Sequence, residues 1–303
     1  MTDETTGEKT GAMAGETADA MPGERTGETA GVTIVVATRD RADELSRSLR
    51  HHAAPVIVAD NASADGTAAV AEAAGATVLR LPRNRGAAAR NAGAQRARTR
   101  YVAFADDDSW WAPGSLERAV RILDAHPRTA LLAARVLVGE EERLEPVSRQ
   151  MAESPLGRPG GLPGPAVLGF LACSAIVRRD AFLAAGGFSD VLHFAGEEEL
   201  LALDLAAAGW GLAYVPEIVV HHHPSTAGRD PSGRRRREVR NRLLTAWLRR
   251  PLPEVARAAA SALTSRDGRA GLSAACRALP AVARARRTLP PDVEAARARL
   301  AGY

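Results

Sequence analysis

Three consecutive aspartates, Asp106, Asp107 and Asp108, directly follow the apolar run of residues 101–105. A short apolar run that contains aromatic and β-branched residues is typical of a buried parallel strand. In open α/β sheets, ligands bind beyond the carboxyl ends of the strands. Carboxylates this close repel one another unless a cation lies between them, and a hard divalent ion that also holds substrate phosphates would suit them. The block therefore predicts a metal site, with an acidic loop or helix start as the simpler alternative.

The elements that must position these aspartates alternate between short strands and short helices. Strands are predicted at residues 32–37, 56–59, 77–81 and 101–105, and helices at residues 43–50, 67–74 and 87–98. Such alternation indicates βαβ units and a parallel, doubly wound sheet. The GxGxxG fingerprint of dinucleotide-binding folds is absent after the first strand, which argues against a dinucleotide coenzyme.

Beyond the aspartates the alternation weakens. Helices are predicted at residues 115–125, 178–185 and 198–208, strands at residues 130–138, 166–177 and 212–220, and a long loop at residues 154–165. After Pro231 the sequence is rich in Arg, Ala and Leu and predicts helices that break near Pro251 and Pro290.

The 303 residues are enough for one large domain or two small ones, and 46% of them are hydrophobic. Residues 1–30 hold almost no large apolar side chains and predict a disordered tail. The remainder is divided into residues 31–110 and 111–232, as two halves of one domain, and residues 233–303, as a helical extension. Neither a signal peptide nor an apolar stretch of about 20 residues is found.

The two cysteines, Cys173 and Cys276, are far apart and have no CxxC spacing. They fit neither a disulfide framework nor a zinc site. Both are expected to be buried free thiols in a reducing cytoplasm.

Five segments, in order along the chain, resemble family 2 glycosyltransferases, the inverting enzymes of the GT-A fold that use nucleotide-diphosphate sugars. The segments are VTIVVATRDR at 32–41, VADNASADGT at 58–67, NRG and ARNAG within 84–93, DDD at 106–108, and GGF, GEEELL and AGW within 186–210. The resemblance covers about residues 32–250. It implies an α/β fold of GT-A type, with a Rossmann-like, mostly parallel sheet flanked by helices and a C-terminal helical extension. Residues 31–110 would be the half that binds the nucleotide sugar, and residues 111–232 the half that binds the acceptor.

The resemblance also implies the ligands of the metal and of the nucleotide. Asp106, Asp108 and His222 would hold Mn²⁺ or Mg²⁺, which can neutralise the charge on the leaving diphosphate. The nucleotide-binding residues would be Thr38, Arg39, Asp60, Arg85, Arg90 and Asp106. Asp60 would hydrogen-bond the base, with a local Asx turn as the alternative. For the arginines the alternative is a solvated basic face, and for His222 it is a polar strand end.

An inverting transfer needs a general base that takes the proton from the acceptor hydroxyl. Gapless alignment to the ED-x-DL motif of the family places Glu198 at the position of the base, with Glu197 beside it. The chain departs from the motif in two ways, because Glu replaces the usual Asp and Leu200 occupies the second acidic position. An acidic helix N-terminus is the simpler explanation of these glutamates.

The partners that follow are a nucleotide-diphosphate sugar as donor and a glycan, a lipid-linked molecule or a small molecule as acceptor. No nucleic acid is expected, since aromatic residues for base stacking are missing near the basic run 234–237. The leucines and Trp247 of residues 243–248 form an apolar stripe beside this run, which predicts packing on the domain or peripheral contact with an anionic membrane at its cytoplasmic face. A non-catalytic pseudo-glycosyltransferase and a sugar-1-phosphate nucleotidylyltransferase remain alternatives, although the loop after the first strand lacks the glycines that the latter needs.

Overall fold

The computed structural model of the protein describes Met1, residues 31–225 and residues 231–300. Apart from Met1, the predicted disordered tail of residues 1–30 lies outside the described residues.

A single mixed sheet runs through both halves of the domain. Its strands are β1 (Val32–Thr38), β2 (Val56–Asp60), β3 (Thr77–Arg80), β4 (Tyr101–Ala105), β5 (Ser109–Trp111), β6 (Thr129–Val138), β7 (Arg143–Leu144), β8 (Ala175–Arg178) and β9 (Gly211–His222). The order across the sheet is β3-β2-β1-β4-β8-β6-β9-β5, with β7 paired to β6. The pairs β1–β2, β1–β4, β2–β3 and β6–β9 are parallel, and β8 runs antiparallel to both of its neighbours. This arrangement confirms the predicted mostly parallel α/β sheet.

Helices flank the sheet and continue beyond it. They are α1 (Ala42–Leu49), α2 (Thr67–Ala73), α3 (Ala89–Arg96), α4 (Ser115–Ala125), α5 (Pro146–Ala152), α6 (Arg179–Ala184), α7 (Glu197–Ala207), α8 (Pro231–Arg249), α9 (Leu252–Leu263), α10 (Arg266–Cys276), α11 (Leu279–Ala285) and α12 (Pro291–Leu300). Short 3₁₀ helices span Gly86–Ala88 and Ala172–Ser174.

Strand β4 is apolar at every position because both faces of the sheet are covered. Val102 and Phe104 point into one buried cluster, whereas Tyr101, Ala103 and Ala105 point into the other. A strand buried on both faces shows a continuous apolar run rather than an alternating pattern. The aspartates that follow β4 therefore emerge directly from the core, at the carboxyl end of a central strand.

The apolar run 166–177 is not a strand, contrary to the prediction. Only Ala175–Arg178 pairs as β8, while a 3₁₀ helix precedes it and residues 167–171 have no regular strand pairing. Val167, Leu168 and Phe170 are nevertheless buried, because they pack under the helices rather than within the sheet. A short apolar run indicates burial, but it does not by itself distinguish a strand from a packed loop.

Three elements were missed from the sequence. Strand β5 begins immediately after the aspartates and pairs with β9, which places Ser109 opposite His222. Helix α5 and the two-residue strand β7 lie in a stretch for which no element was predicted. The strand β5 matters most, since it carries the acidic block toward the histidines of β9.

The C-terminal helices pack on the domain, as one of the two interpretations of the apolar stripe predicted. Leu243, Leu244 and Leu248 are buried in one cluster with Leu192 and Leu200 of the second half of the domain. Each such side chain contributes about 1.5–3 kcal/mol when it is removed from water. Among the described helices, none combines the length and the apolarity that crossing a membrane requires. The expectation of two buried thiols was half wrong, because Cys173 is buried but Cys276 is exposed on α10.

Candidate active site at the carboxyl end of β4

Asp106, Asp108 and His222 lie together where β4, β5 and β9 meet. One carboxylate oxygen from each aspartate and one ring nitrogen of His222 lie within 4.8 Å of one another. The Nε2 atom of His222 is 3.3 Å from Oδ1 of Asp108. Two carboxylates and an imidazole offer ligands of the kind that Mn²⁺ accepts, and the carboxylates also suit Mg²⁺. The structure thus brings together the three residues predicted as metal ligands.

The electrostatics of this cluster favour charged ligands. Burial alone would raise the pKa of Asp108, but a hydrogen bond with His222 and the charges of His222 and Arg41 lower it below its ordinary value. Burial would also lower the pKa of His222, and Asp108 raises it instead. The aspartate therefore stays ionised, and it is paired with both His222 and Arg41.

The middle aspartate has a different role. The hydroxyl of Thr38 donates a hydrogen bond of 2.7 Å to Oδ2 of Asp107, and Nε of Arg41 donates one of 3.2 Å to Oδ1. Burial raises the pKa of Asp107 to about 6, although Thr38 and Arg41 oppose that shift. Asp107 therefore links the end of β1 to the acidic block through Thr38. Nucleotide binding by Thr38 stays a prediction.

Arg41 is the site residue that the sequence analysis left out. Its Nη2 donates to Oδ2 of Asp108 at 3.1 Å, in addition to its contact with Asp107. It follows Thr38, Arg39 and Asp40 in the first strand's loop, so its position in that motif was an available signal. An arginine at this distance offsets the repulsion among the three carboxylates.

Arg90 connects the acidic block to the predicted base. The guanidinium is buried, donates to Oδ1 of Asp106, and lies over the ring of Phe188 at 5.7 Å. Burial would lower its pKa, and the charges of Asp106, Glu197 and Glu198 raise it instead. Arg90 is thus not part of a solvated basic face, as the alternative had it.

Glu197 and Glu198 begin helix α7, directly after Gly196 in a left-handed conformation. Glu197 is only 2% exposed and Glu198 is half-buried. Burial raises the pKa of both carboxyls, that of Glu197 to about 7, and Arg90 opposes the shift. A carboxyl with a raised pKa is a better proton acceptor than an ordinary surface glutamate. Leu200, at the second acidic position of the motif, is buried in the core beneath the C-terminal helices.

The predicted base-recognition residue Asp60 ends β2 and is buried. Its Oδ1 accepts a hydrogen bond of 3.0 Å from the backbone N–H of Ser63, so the alternative of a local turn describes its present contacts. Recognition of a nucleotide base by Asp60 stays a prediction. Arg39 is about half-exposed and pairs with Asp40, its own neighbour, so it does not reach the acidic block.

Arg85 forms an ion pair with Asp190, which lies in the second half of the domain. Its Nη2 lies 2.7 Å from Oδ2 of Asp190, and Nε also donates to that carboxylate. Its predicted contact with the nucleotide would require this pair to open. The backbone next to Arg85 is held by Asn61. The side-chain oxygen of Asn61 accepts a hydrogen bond from the backbone N–H of Arg85, and its side-chain nitrogen donates one to the carbonyl of Gly86.

Two further contacts join the halves of the domain. The side-chain amide of Asn91 donates to the carbonyl of Phe188 at 2.8 Å and accepts from the N–H of that residue at 2.9 Å. The N–H of Ala87 donates to the carbonyl of His193 at 2.7 Å. The motif residues around 84–93 therefore position the loop that leads to Glu197.

Curated relatives of this chain include two proteins of Mycobacterium tuberculosis. The pre-mycofactocin glycosyltransferase is 33% identical over 216 residues, which make up 66% of this chain and 44% of that protein. The N-acetylglucosaminyl-diphospho-decaprenol L-rhamnosyltransferase is 29% identical over 154 residues, 44% of this chain and 50% of that protein. The chain thus aligns with half or less of the length of these relatives.

Solved structures with a similar fold include complexes with nucleotide sugars. The mannosyltransferase PcManGT from Pyrobaculum calidifontis, in complex with GDP-Man and Mn²⁺, superposes with a TM-score of 0.57 at 24% identity, over 90% of this chain and 81% of that one. S. aureus TarS in complex with UDP-GlcNAc gives a TM-score of 0.50 at 15% identity, over 71% and 66% of the two chains. These likenesses confirm the predicted GT-A fold.

The sequence profile of the family described as Glycosyl transferase family 2 matches residues 33–184, just over half of the chain. Both curated relatives carry glycosyltransferase names. The chain belongs to glycosyl transferase family 2.

Proposed function

We propose that the protein is an inverting, metal-dependent glycosyltransferase that moves a sugar from a nucleotide-diphosphate donor to an acceptor hydroxyl. The observation that carries the proposal is the convergence of Asp106, Asp108 and His222 within 4.8 Å in a family 2 domain. When bound there, Mn²⁺ or Mg²⁺ would neutralise negative charge on the diphosphate leaving group.

Several side chains of the domain support donor binding around that point. Arg90 and Arg41 supply positive charge on two sides of the acidic block. Thr38 is hydrogen-bonded to Asp107 at the end of β1, and Asp60 uses one carboxylate oxygen in its local turn, which leaves the other for a base N–H. Arg39 and Arg85 would join the nucleotide site only after their present ion pairs with Asp40 and Asp190 open.

Glu198 is the proposed general base, with Glu197 next to it at the start of α7. Burial keeps the pKa of both carboxyls raised, which suits proton transfer from a hydroxyl. Arg90, whose charge acts on both Asp106 and the glutamates, would hold the base and the donor site in fixed relation.

The acceptor could be a glycan, a lipid-linked molecule or a small molecule, and the relatives' names include a diphospho-decaprenol substrate. Residues 231–300 contain 17 arginines and only five acidic residues. This charge supports a cytoplasmic protein that contacts an anionic membrane surface peripherally, at a strength that falls with salt. A nucleic-acid partner is not part of the proposal.

The proposal is tested with a panel of UDP-, GDP- and dTDP-sugars. We expect one donor to raise the melting temperature in Mn²⁺ and to be hydrolysed slowly without acceptor, and EDTA to abolish both effects. Donor binding without hydrolysis or transfer to any acceptor would instead indicate a pseudo-glycosyltransferase. Full activity in EDTA would contradict the metal assignment.

A further inference from the structure

A cavity of about 500 Å³ adjoins the two glutamates of the proposed base. Helix α5, residues 167–171, the loop before α7 and the start of α8 surround it. Its apolar lining consists of Val147, Met151, Pro155, Val167, Leu168, Phe170, Leu171, Phe194 and Leu300. A concave site of this volume with a mainly apolar wall is typical of a small-molecule pocket.

Ser154, Glu199 and Arg234, at the rim of the cavity, already contact other protein groups. Ser154 donates to the carbonyl of Ala166 at 2.6 Å. Arg297 binds Glu199 at 2.8 Å, and Arg234 binds Glu238 at 2.8 Å. Arg234 is the only cation among the described residues that line the cavity, so an anionic acceptor such as a lipid phosphate finds little free positive charge there.

Glu197 lines the same cavity and has unused hydrogen-bonding capacity. The residue is 2% exposed, and its Oε2 atom is shielded from solvent without a hydrogen-bond partner among the described residues. A buried carboxylate oxygen without a partner is unfavourable and is uncommon in folded proteins. A hydroxyl group of a bound molecule would supply the missing donor.

Phe194 stands at the cavity with half of its surface exposed. It is 51% exposed, whereas the other four phenylalanines of the chain are 5% exposed or less. The residues on either side, His193 and Ala195, have φ of 68° and 75°, which are unfavourable for residues other than glycine. Strained backbone of this kind is concentrated at functional sites, because the rest of the structure must hold it in place.

The strained loop is held from both sides. The side-chain amide of Asn241 in α8 donates to the carbonyls of Phe194 and Ala195 at 2.7 and 2.6 Å. On the other side the carbonyl of His193 accepts from the N–H of Ala87. The exposed ring of Phe194 is thus presented by a fixed loop, three residues before the start of α7, rather than by a free surface segment.

From these features we propose that the cavity is the acceptor subsite and that it selects an acceptor in which an apolar ring adjoins the hydroxyl-bearing part. The ring contacts Phe194 and the apolar wall, and a hydroxyl faces Glu197 and Glu198. The inference rests on the proposed transferase function. In the transfer, the acceptor oxygen forms a bond to the anomeric carbon, the bond from that carbon to the diphosphate oxygen breaks, the hydroxyl proton passes to the Glu198 carboxylate, and the diphosphate leaves with the bonding electrons.

The test compares phenyl β-D-glucopyranoside with methyl β-D-glucopyranoside, whose sugar is the same. We expect calorimetry to show the phenyl glycoside binding at least about tenfold more tightly to the wild type. Phe194→Ala should reduce that ratio about three- to tenfold, and Phe194→Trp should retain it. Leu279→Ala, which truncates an exposed leucine outside the cavity, is the matched control and should leave the ratio unchanged.

Equal binding of the two glycosides to the wild type, or a ratio that survives Phe194→Ala, would overturn the inference. Tighter binding of decyl than of phenyl glucoside would overturn it as well, by assigning a chain rather than a ring to the cavity. Mn²⁺-dependent binding of the donor nucleotide is measured separately in every variant. If the wild type shows no Mn²⁺-dependent donor binding, the result counts against the proposed function. If it binds the donor but does not prefer the phenyl glycoside, the result counts against this subsite alone.

Discussion

The proposed donor half, residues 31–110, and the proposed acceptor half, described over residues 111–225, position their site residues in different ways. In the donor half, Thr38, Asp60 and Asp106 occupy the carboxyl ends of adjacent parallel strands, so strand register alone brings them together. In the acceptor half, Glu197 is positioned by a loop with unfavourable backbone angles that is held by Ala87 and Asn241. The first arrangement is local to the sheet, and the second depends on contacts between distant parts of the chain.

The two arrangements should differ in how strongly the positions of their site residues depend on the rest of the chain. A strand end tolerates changes in neighbouring loops, because the sheet ladder fixes it on both sides. A loop held by a few long-range hydrogen bonds moves when any of them is removed. We therefore expect a substitution in the donor half to remove the function of the replaced side chain alone. A substitution at the loop contacts should instead displace Glu197 and Glu198.

The largest effect is expected from Asp108→Asn, which keeps the shape of the side chain and removes a charge from the donor half. Turnover should fall at least about 1000-fold, the loss expected when a metal that neutralises the leaving group is no longer held. Donor binding should lose its dependence on Mn²⁺. The side chain is 13% exposed and paired with Arg41 and His222, so a melting curve must show that the variant is folded.

Glu140→Gln removes a carboxylate outside the acidic block and serves as the control for the loss of one charge. Turnover and Mn²⁺ dependence should match the wild type. Retention of Mn²⁺-dependent donor binding in Asp108→Asn would contradict this view of the donor half, since metal-dependent binding would then not require the carboxylate of Asp108.

A somewhat smaller loss is expected from Glu198→Gln in the acceptor half. The turnover rate should fall about 100- to 1000-fold while donor affinity stays near that of the wild type, because a general base acts in the transition state rather than in donor binding. Steady-state kinetics and donor titrations separate the two effects. Glu197→Gln is the matched variant one residue earlier, and a larger loss there would reassign the base.

The donor half was largely predictable from the sequence because its site residues lie at the ends of strands, and strands leave a local pattern in the sequence. Residues 101–105 are apolar throughout because β4 is buried on both faces, and Asp106 follows because the strand ends there. Helix α2, predicted at residues 67–74, spans Thr67–Ala73 and ends just before Gly75, a residue type that often follows the end of a helix. Asp106 and Asp108, two of the three residues predicted as metal ligands, lie in this half, and the alternation that predicted its sheet is local information.

The acceptor half was less predictable because its determinants are not local. The run 166–177 has the composition of a strand, yet only its end pairs in the sheet as β8, and Leu168 is buried in a cluster with Leu203 and Val293 of later helices. The contact of Asn91 with Phe188 and that of Ala87 with His193 join residues about 100 positions apart. Neither pairing leaves a pattern in a single sequence.

Gly86→Ala tests the link between the halves directly. A Cβ at Gly86 would lie 2.0 Å from the carbonyl oxygen of His193, and the residue has φ of 57°. We expect the variant to lose roughly 2–4 kcal/mol of unfolding free energy and to bind acceptor more weakly. Gly75→Ala is the matched control, with φ of 77° and no atom within 4 Å of the added Cβ, so it should show only the backbone strain of about 1–2 kcal/mol. Equal losses in the two variants would show that the contact with His193 does not matter.

The smallest effect is expected at His52, which lies in the donor half outside the site. Both ring nitrogens are shielded from solvent and have no hydrogen-bond partner among the described residues. Burial lowers the pKa of His52 from 6.5 to about 4, and the charge of His51 adds to that shift. Between these pH values the unfolded chain binds a proton that the folded protein does not, so the unfolding free energy should fall as the pH falls from 6.5 toward 4.

The decrease in unfolding free energy should amount to about 1–3 kcal/mol, measured by urea unfolding at a series of pH values. Carboxylates also titrate toward the lower end of this range, so the informative quantity is the difference between the wild type and His52→Gln, which removes the titrating ring. The variant should lose part of the pH dependence between 6.5 and 4, whereas His51→Gln should retain most of it. Parallel curves for the wild type and His52→Gln would show that the ring can become charged in the folded state, through water or through movement of residues 51–55. Such a result would refine the comparison of the two halves. It would show that the donor half is locally flexible directly beside strand β2, which carries Asp60.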